Sequence, residues 1–139
     1  MVNTFVIQIR EELDIVSARK KGREAARLLC CDVVDQAKII TAISELGRNI
    51  SQYAGSGKII VEVLQDEEVY GGIRITAVDD GPGIENIKKA MEPGFSTSGG
   101  LGTGLSGVRN LMDEFYIDSA PGKGTIVVIT KWLKSRITV

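Results

Sequence analysis

The residues of this chain that are best suited to chemistry lie in a glycine-dense stretch, residues 79–107, which reads DDGPGIENIKKAMEPGFSTSGGLGTGLSG. A glycine-rich loop that leads into a helix presents unpaired N–H groups and the positive end of the helix dipole, and both attract phosphate. Because glycine has no side chain, the backbone can also approach a ligand closely. The stretch therefore predicts a nucleotide site. Its second half is the denser one, with Gly99, Gly100, Gly102, Gly104 and Gly107.

A second candidate is the pair Glu45 and Asn49, which lie four residues apart in a helical pattern and so share one face. Thr41 and Gln52 fall near the same side. Without further information, such a pair is typical of an ordinary polar helix surface. The pair indicates a functional site only if the glycine stretch lies close to it in the fold.

Three glycine motifs compete for the type of nucleotide site. Gly102-x-Gly104-x-x-Gly107 has the letters of a dinucleotide fingerprint, but that fingerprint must follow a buried parallel strand, and FSTSGGL is not one. A Walker A loop would need glycine where Gln52 and Ile117 stand, ahead of the two Gly-Lys pairs. The remaining interpretation is a split site, with glycines on both sides of an intervening lid.

Composition narrows the classes of function. A length of 139 residues predicts one domain, residues 1–139, and a net charge of -1 argues against non-specific binding to nucleic acid. The apolar runs are too short to cross a bilayer, no signal-peptide pattern precedes them, and the adjacent Cys30 and Cys31 form no disulfide framework. We therefore expect a cytoplasmic protein. With no histidine, catalysis by imidazole is excluded, and Asp, Glu, Lys or Tyr must carry out acid–base steps.

The elements that would position these residues follow from hydrophobic periodicity and turn signals. Asp14 and Asp32 are the predicted N-caps of the first two helices. The order of elements predicts an α+β two-layer sandwich, with helices on one face of a mixed, mostly antiparallel sheet. Residues 93–99 are rich in turn formers and predict a mobile lid. The predicted strands are residues 4–9, 58–65, 72–79, 115–120 and 125–133, and the predicted helices are residues 14–29, 32–54, 85–91 and 103–114.

Arg19, Arg23 and Arg27 recur every four residues and form one basic stripe on the first helix. The stripe is either a solvated face or a docking face for an acidic partner.

Four short motifs, in this order along the chain, resemble the N, G1, G2 and terminal boxes of the GHKL ATPase and kinase superfamily, whose ATP-binding fold is also called the Bergerat fold. The boxes ISELGRNI, DDGPGI, MEPGFSTSGGLGTGL and the segment LMDEF further resemble the small switch serine/threonine kinases of the bacterial stressosome and of sigma-factor partner switching. The four boxes are Glu45-x-x-x-Asn49, Asp79-x-Gly81-x-Gly83, Gly100-x-Gly102-x-Gly104-Leu105 and Gly124-Thr125.

The resemblance implies a role for each box. Asp79, held by the turn at Gly81 and Gly83, is expected to accept a hydrogen bond from the exocyclic amine of adenine. Asn49 is expected to bind Mg²⁺ that bridges the phosphates of ATP, since an amide oxygen suits a hard cation. Thr125 is expected to support the adenine site through its hydroxyl.

The third box is expected to wrap the β and γ phosphates of ATP with its glycine backbone, Gly100, Gly102 and Gly104, and Leu105 closes it. Glu45 is the expected general base, one helical turn before the metal ligand. It would take the proton from a serine or threonine hydroxyl, or from water in the ATPase members of the superfamily; the box itself does not separate the two.

The resemblance also implies partners. The substrate would be a STAS-domain antagonist or scaffold protein, and the released kinase would bind and activate a downstream phosphatase. Two alternatives stay open: a non-catalytic, nucleotide-gated binding switch or anti-sigma factor, and a detached histidine-kinase catalytic domain.

The lid between the glycine boxes is short and no Lys or Arg lies between Pro93 and Val108. Arg48, next to Asn49, is then the nearest cation that could neutralise the γ-phosphate. One step along a helix should, however, turn it about 100° away from Asn49, which is typical of a surface or interface arginine.

Overall fold

The computed structural model describes residues 3–29, 31–65, 70–84, 87–92 and 104–134. Two long helices and one sheet form two layers. The elements in chain order are β1 (Thr4–Ile9), α1 (Glu12–Leu28), α2 (Val33–Asn49), a π-helical turn (Ile50–Ala54), β2 (Gly57–Gln65), β3 (Tyr70–Asp79), α3 (Ile87–Ala90), α4 (Gly104–Leu111), β4 (Glu114–Ser119) and β5 (Thr125–Lys134).

The sheet has five strands in the order β1-β2-β3-β5-β4, and each neighbouring pair is antiparallel. The predicted α+β two-layer architecture is thus confirmed. The sheet is not mixed, however: its described strands contain no parallel pair. The reason lies in the connections, because both β2–β3 and β4–β5 are consecutive strands joined directly, which antiparallel pairing allows.

The core lies between the helices and one face of the sheet. Alternate residues of the strands face the helices, and Ile59, Ile75 and Ile129 are fully buried there. They meet the apolar side of α2, where Ile39 and Ile43 are also fully buried. Burial of such apolar side chains is the main favourable contribution to the free energy of folding.

The opposite face of the sheet carries the other half of each strand and is more polar. Glu62 on β2 and Arg74 on β3 are register partners there, and their side chains form an ion pair at 4.0 Å. Val6, Tyr116 and Trp132 are also largely exposed. These residues lie away from the strand ends that carry Asp79 and Thr125 of the predicted site.

The beginnings of the two long helices show where local prediction succeeds and fails. Asp32 is the N-cap of α2 as predicted, because its side chain accepts a hydrogen bond from the Asp35 N–H at 2.8 Å. Asp14 is not the N-cap of α1, and that prediction was wrong. The cap is Glu11, and Asp14 is the third helical residue, whose carboxylate reaches back to the Glu11 N–H at 3.0 Å.

Predicted lengths were less accurate than predicted types. The helix expected over residues 103–114 is α4, which ends at Leu111 because Glu114 already belongs to β4. The helix expected over residues 85–91 is the single turn α3. The expected lid, residues 93–99, lies outside the described residues. No helix in the described ranges is both long and apolar enough to cross a membrane. That residues 1–139 form one domain stays a prediction.

Candidate functional site

Asp79 is the last residue of β3, the central strand of the sheet. It is the register partner of Gly57 on β2 and of Thr125 on β5, so three strands fix its position. Its Oδ1 accepts a hydrogen bond from the Gly81 N–H at 2.9 Å. Asp79 therefore forms the Asx-type turn that is common before glycine.

The pKa of Asp79 is raised above its ordinary value of 3.8, chiefly because burial disfavours the charged carboxylate. The neighbouring charge of Asp80 acts in the same direction. The backbone N–H groups of Gly81 and Thr125 lower the pKa and so oppose the shift.

Three glycines allow the loop after β3, the π-helical turn and the β4–β5 turn to meet around Asp79. At Gly81 a Cβ would lie 2.7 Å from the Cβ of Ala54, in the π-helical turn. At Gly83 (φ +81°) a Cβ would collide with the carbonyl oxygen of Ala120, and at Gly124 (φ +74°) with that of Asp79 itself. Glycine is therefore required for this close backbone approach, in addition to any contact with phosphate.

The turn between β4 and β5 is bonded to the loop after Asp79 through Ser119. The Ser119 Oγ accepts a hydrogen bond from the Ile84 N–H at 2.8 Å and lies 2.9 Å from the Gly124 carbonyl oxygen, to which it donates. Gly122 adds a backbone hydrogen bond to the Pro82 carbonyl oxygen at 2.7 Å. Sequence reasoning missed Ser119, because a serine that ends a strand carries no motif.

Thr125 lies where the resemblance expected it, beside Asp79. Its Oγ1 is 2.8 Å from the Ser119 Oγ. Because the single proton of the Ser119 hydroxyl is donated to the Gly124 carbonyl oxygen, the Thr125 hydroxyl is the donor in this contact. The Thr125 hydroxyl therefore already helps to hold the β4–β5 turn, and its register partner is Asp79. Any hydrogen bond to a nucleotide would be made in addition to this one.

The second group of predicted residues lies on α2. Glu45 is 3% exposed, whereas Asn49, at the last position of the helix, is half-buried. The π-helical turn follows directly and ends at Gly55 (φ +83°), whose N–H bonds to the Ile50 carbonyl oxygen at 2.9 Å. This turn lies between the end of α2 and the loop after β3, since Ile50 packs on Gly57 and Ala54 on Gly81.

Arg48 is partly exposed, but its guanidinium group turns back toward its own helix. Its Nη2 lies 2.8 Å from the Oε1 of Glu45, one turn earlier on α2. Among the described residues, this is the one hydrogen bond that the Glu45 carboxylate receives. The structure thus pairs the predicted base with a cation on its own helix.

Part of the third glycine box is described. Gly104 begins α4 with φ +48°, and Leu105 is 7% exposed, so Leu105 anchors the helix in the core. The helix packs against α2 and α3. Gly100 and Gly102 lie outside the described residues, so their expected contact with phosphate stays a prediction.

Comparisons with known proteins agree with this arrangement. Residues 34–135 match the family described as histidine kinase-, DNA gyrase B-, and HSP90-like ATPase. The chain is 54% identical to the serine/threonine-protein kinase RsbT of Bacillus subtilis over 92% of its own length and 96% of that protein. It is 37% identical to the anti-sigma F factor of Caldanaerobacter subterraneus subsp. tengcongensis over 70% of each chain.

Among solved structures, the mycobacterial sensor histidine kinase MprB aligns over 97% of this chain and 99% of that one. The TM-score is 0.51 and the identity 17%, so the likeness concerns the fold.

The glycine contacts predict unequal effects of two substitutions in the same turn. Gly124→Ala adds a Cβ that collides with the Asp79 backbone at a positive φ, and should lower the free energy of unfolding by about 3 kcal/mol. Gly122→Ala has a similar φ of +80° but open space around it, and should cost about 1 kcal/mol. Urea unfolding of both variants measures the difference. Equal losses would show that the close approach at Gly124 is unimportant.

A substitution at Asp79 should change which base is bound. In Asp79→Asn the amide oxygen can keep the bond from the Gly81 N–H, so the NH₂ group replaces the other carboxylate oxygen, Oδ2. That group repels the amine of adenine but can donate to the 6-oxo group of hypoxanthine. Calorimetry should show ATP affinity falling about 10- to 100-fold, with ITP favoured over ATP. A variant that still prefers ATP as strongly as wild type would remove Asp79 from the adenine site.

The raised pKa of Asp79 predicts how ATP binding depends on pH. The ionised carboxylate accepts the expected hydrogen bond much more strongly than the neutral acid does, so its contribution is full above its pKa and weakens as the pH falls through it. Because the pKa is raised, the loss should begin at a higher pH than for an ordinary aspartate. The ratio of ATP affinities of wild type and Asp79→Asn cancels protonation of the nucleotide. This ratio should fall as the pH is lowered; a constant ratio would contradict the assignment.

Proposed function

The chain belongs to the family of histidine kinase-, DNA gyrase B- and HSP90-like ATPases, and on that premise we propose that it is an ATP-dependent protein serine/threonine kinase in a partner-switching signalling pathway. Its similarity to the serine/threonine-protein kinase RsbT over nearly all of both chains supports this proposal. One structural observation carries it: a nearly buried carboxylate, Glu45, lies one helical turn before Asn49 and keeps one oxygen without a hydrogen bond from the described residues.

In the proposed complex, ATP binds where β3, the β4–β5 turn and the end of α2 meet. Adenine lies against Asp79, and the phosphates extend toward Asn49 and the glycines that precede α4. Mg²⁺ is held by the amide oxygen of Asn49. No group of three or more acidic or thiol side chains that could form a metal site occurs in the described ranges. The other ligands of the ion would therefore come from the phosphates and from water, as is usual for Mg²⁺.

Glu45 then acts as the general base. It takes the proton of a serine or threonine hydroxyl while the hydroxyl oxygen attacks the γ-phosphorus and ADP leaves. Burial favours this role, because little water reaches the Glu45 carboxylate to compete with the acceptor hydroxyl for its oxygen. A protein acceptor, rather than water, is the choice that similarity to a protein kinase supports.

The proposed substrate is a STAS-domain antagonist or scaffold protein, and the proposed later partner is a phosphatase that the released kinase activates. The basic stripe on α1, made of Arg19, Arg23 and Arg27, is the proposed docking face. Within the described residues none of its three guanidinium groups forms an ion pair. The exposed Leu28 at the end of the stripe adds an apolar contact. We place this signalling in the cytoplasm.

A second candidate is favoured by one specific observation, the similarity to anti-sigma F factors. In this case nucleotide binding would set affinity for a protein partner without phosphate transfer. The likeness to MprB concerns the fold, so it does not favour the candidate histidine-kinase domain over the serine/threonine kinase.

The kinase proposal predicts a mass change on a partner protein. Wild type, Mg²⁺-ATP and candidate STAS-domain proteins of the same genome are mixed, and the intact mass of each partner is read. We expect one added phosphate on serine or threonine. Glu45→Gln, which keeps the hydrogen bond from Arg48 but is a poor base, should slow the transfer by about 10²- to 10⁴-fold and leave ATP binding intact.

Glu62→Gln is the matched control, since Glu62 is also half of a glutamate–arginine pair but lies on the opposite face of the sheet. It should transfer phosphate at the wild-type rate. If wild type binds ATP and adds no mass to any partner, the binding switch is the correct function. Phosphate that is stable to alkali and labile to acid would instead identify a histidine acceptor.

A further inference from the structure

Arg48 makes a contact that the proposed function has not yet used. Its Nη2 is 2.8 Å from the Glu45 Oε1, and the two side chains differ sharply in exposure, 39% for Arg48 and 4% for Glu45. Ion pairs three residues apart on a helix surface contribute little to stability, because water solvates both charges. Here the carboxylate is removed from water, so the arginine is its main compensating charge.

The guanidinium group is itself held at a cost. The Arg48 Nε is buried and has no hydrogen-bond partner in the described structure. A buried donor without a partner is uncommon, and it calls for an explanation such as a catalytic role. An arginine that served only solubility would extend its Nε into water. The position at the last turn of α2 is favourable for a cation, but it does not require the side chain to turn back toward Glu45.

We propose that Arg48 is the positioning residue of phosphate transfer, an inference that rests on the proposed kinase function. Arg48 fixes the Glu45 carboxylate through Oε1. The second oxygen, Oε2, then faces the hydroxyl of the acceptor serine or threonine. A glutamate held by one ordered cation has a defined orientation, which a freely rotating carboxylate lacks.

The transfer step then balances as follows. The acceptor oxygen forms a bond to the γ-phosphorus, the bond from that phosphorus to the β–γ bridging oxygen breaks, and its electron pair leaves on ADP. The acceptor proton passes to the Glu45 Oε2. The glutamate–arginine pair is neutral before the step and carries one positive charge after it.

In this scheme Arg48 acts on the base and not on the nucleotide. Without Arg48 the Glu45 carboxylate loses the hydrogen bond that fixes its direction, so Oε2 is aligned with the acceptor hydroxyl less often. Arg48 should therefore affect kcat rather than the affinity for ATP.

Substitution of Arg48 tests the inference, with the STAS-domain protein that wild type phosphorylates as substrate. Arg48→Gln should lower kcat by about 10²-fold, with the KM for Mg²⁺-ATP changed by less than about twofold. Arg48→Lys keeps the cation but loses the planar geometry, so its kcat should lie between those of wild type and Arg48→Gln. Arg74→Gln is the matched control, since Arg74 is similarly exposed and also pairs with a glutamate, and its kcat should equal that of wild type.

Each result decides the question. A wild-type kcat in Arg48→Gln, or a loss that appears in KM alone, overturns the positioning role while the kinase function stands. If Arg48→Gln fails to fold, as judged by circular dichroism, Arg48→Lys carries the test. A kcat lowered about 3- to 30-fold at unchanged KM supports the role, and a wild-type kcat contradicts it. A wild-type protein that phosphorylates no partner removes the proposed function and this inference together.

Discussion

The backbone pairing at the end of β3 is the constraint on which the rest of the site depends. Asp79 faces Gly57 on one side and Thr125 on the other, so a carboxylate is placed at the common end of three strands. Gly124 has no side chain, and only this lets the β4–β5 turn lie against the Asp79 carbonyl. A shift of one residue in either pairing would turn Asp79 to the opposite face of the sheet. The register of the sheet therefore determines whether the Asp79 carboxylate faces the proposed nucleotide site.

Helix α2 connects this end of the sheet to the proposed reaction centre. Its buried face is part of the core, and its last turn carries Glu45, Arg48 and Asn49. The π-helical turn that follows brings Ala54 against Gly81, so one continuous segment reaches both the proposed adenine end and the proposed phosphate end of the site. The second half of α2, where the buried residues lie, is packed in the core. A packed helix holds side chains more precisely than a loop does, and proton transfer depends on that precision.

Much of this arrangement could be predicted from sequence, because it rests on local rules. The periodicity of α1 and α2, the cap at Asp32 and the glycine turns around Asp79 each follow from residue types over short distances. The contact of Arg48 with Glu45 was not predicted, although residues three apart on a helix are neighbours. What local rules do not give is the burial of the Glu45 carboxylate, because that depends on the folded core. Ser119 was missed for a similar reason, since its partners Ile84 and Gly124 are brought to it only by the folded sheet.

A crystal structure of the chain with Mg²⁺ and a non-hydrolysable ATP analogue would test the central claim most directly. The account predicts that the adenine amine lies within hydrogen-bond distance of the Asp79 carboxylate and that the Asn49 amide oxygen contacts the metal ion. It also predicts that Glu45 lies beside the γ-phosphate with its Oε1 still bonded to Arg48. A nucleotide bound elsewhere, or a γ-phosphate remote from Glu45, would contradict the account.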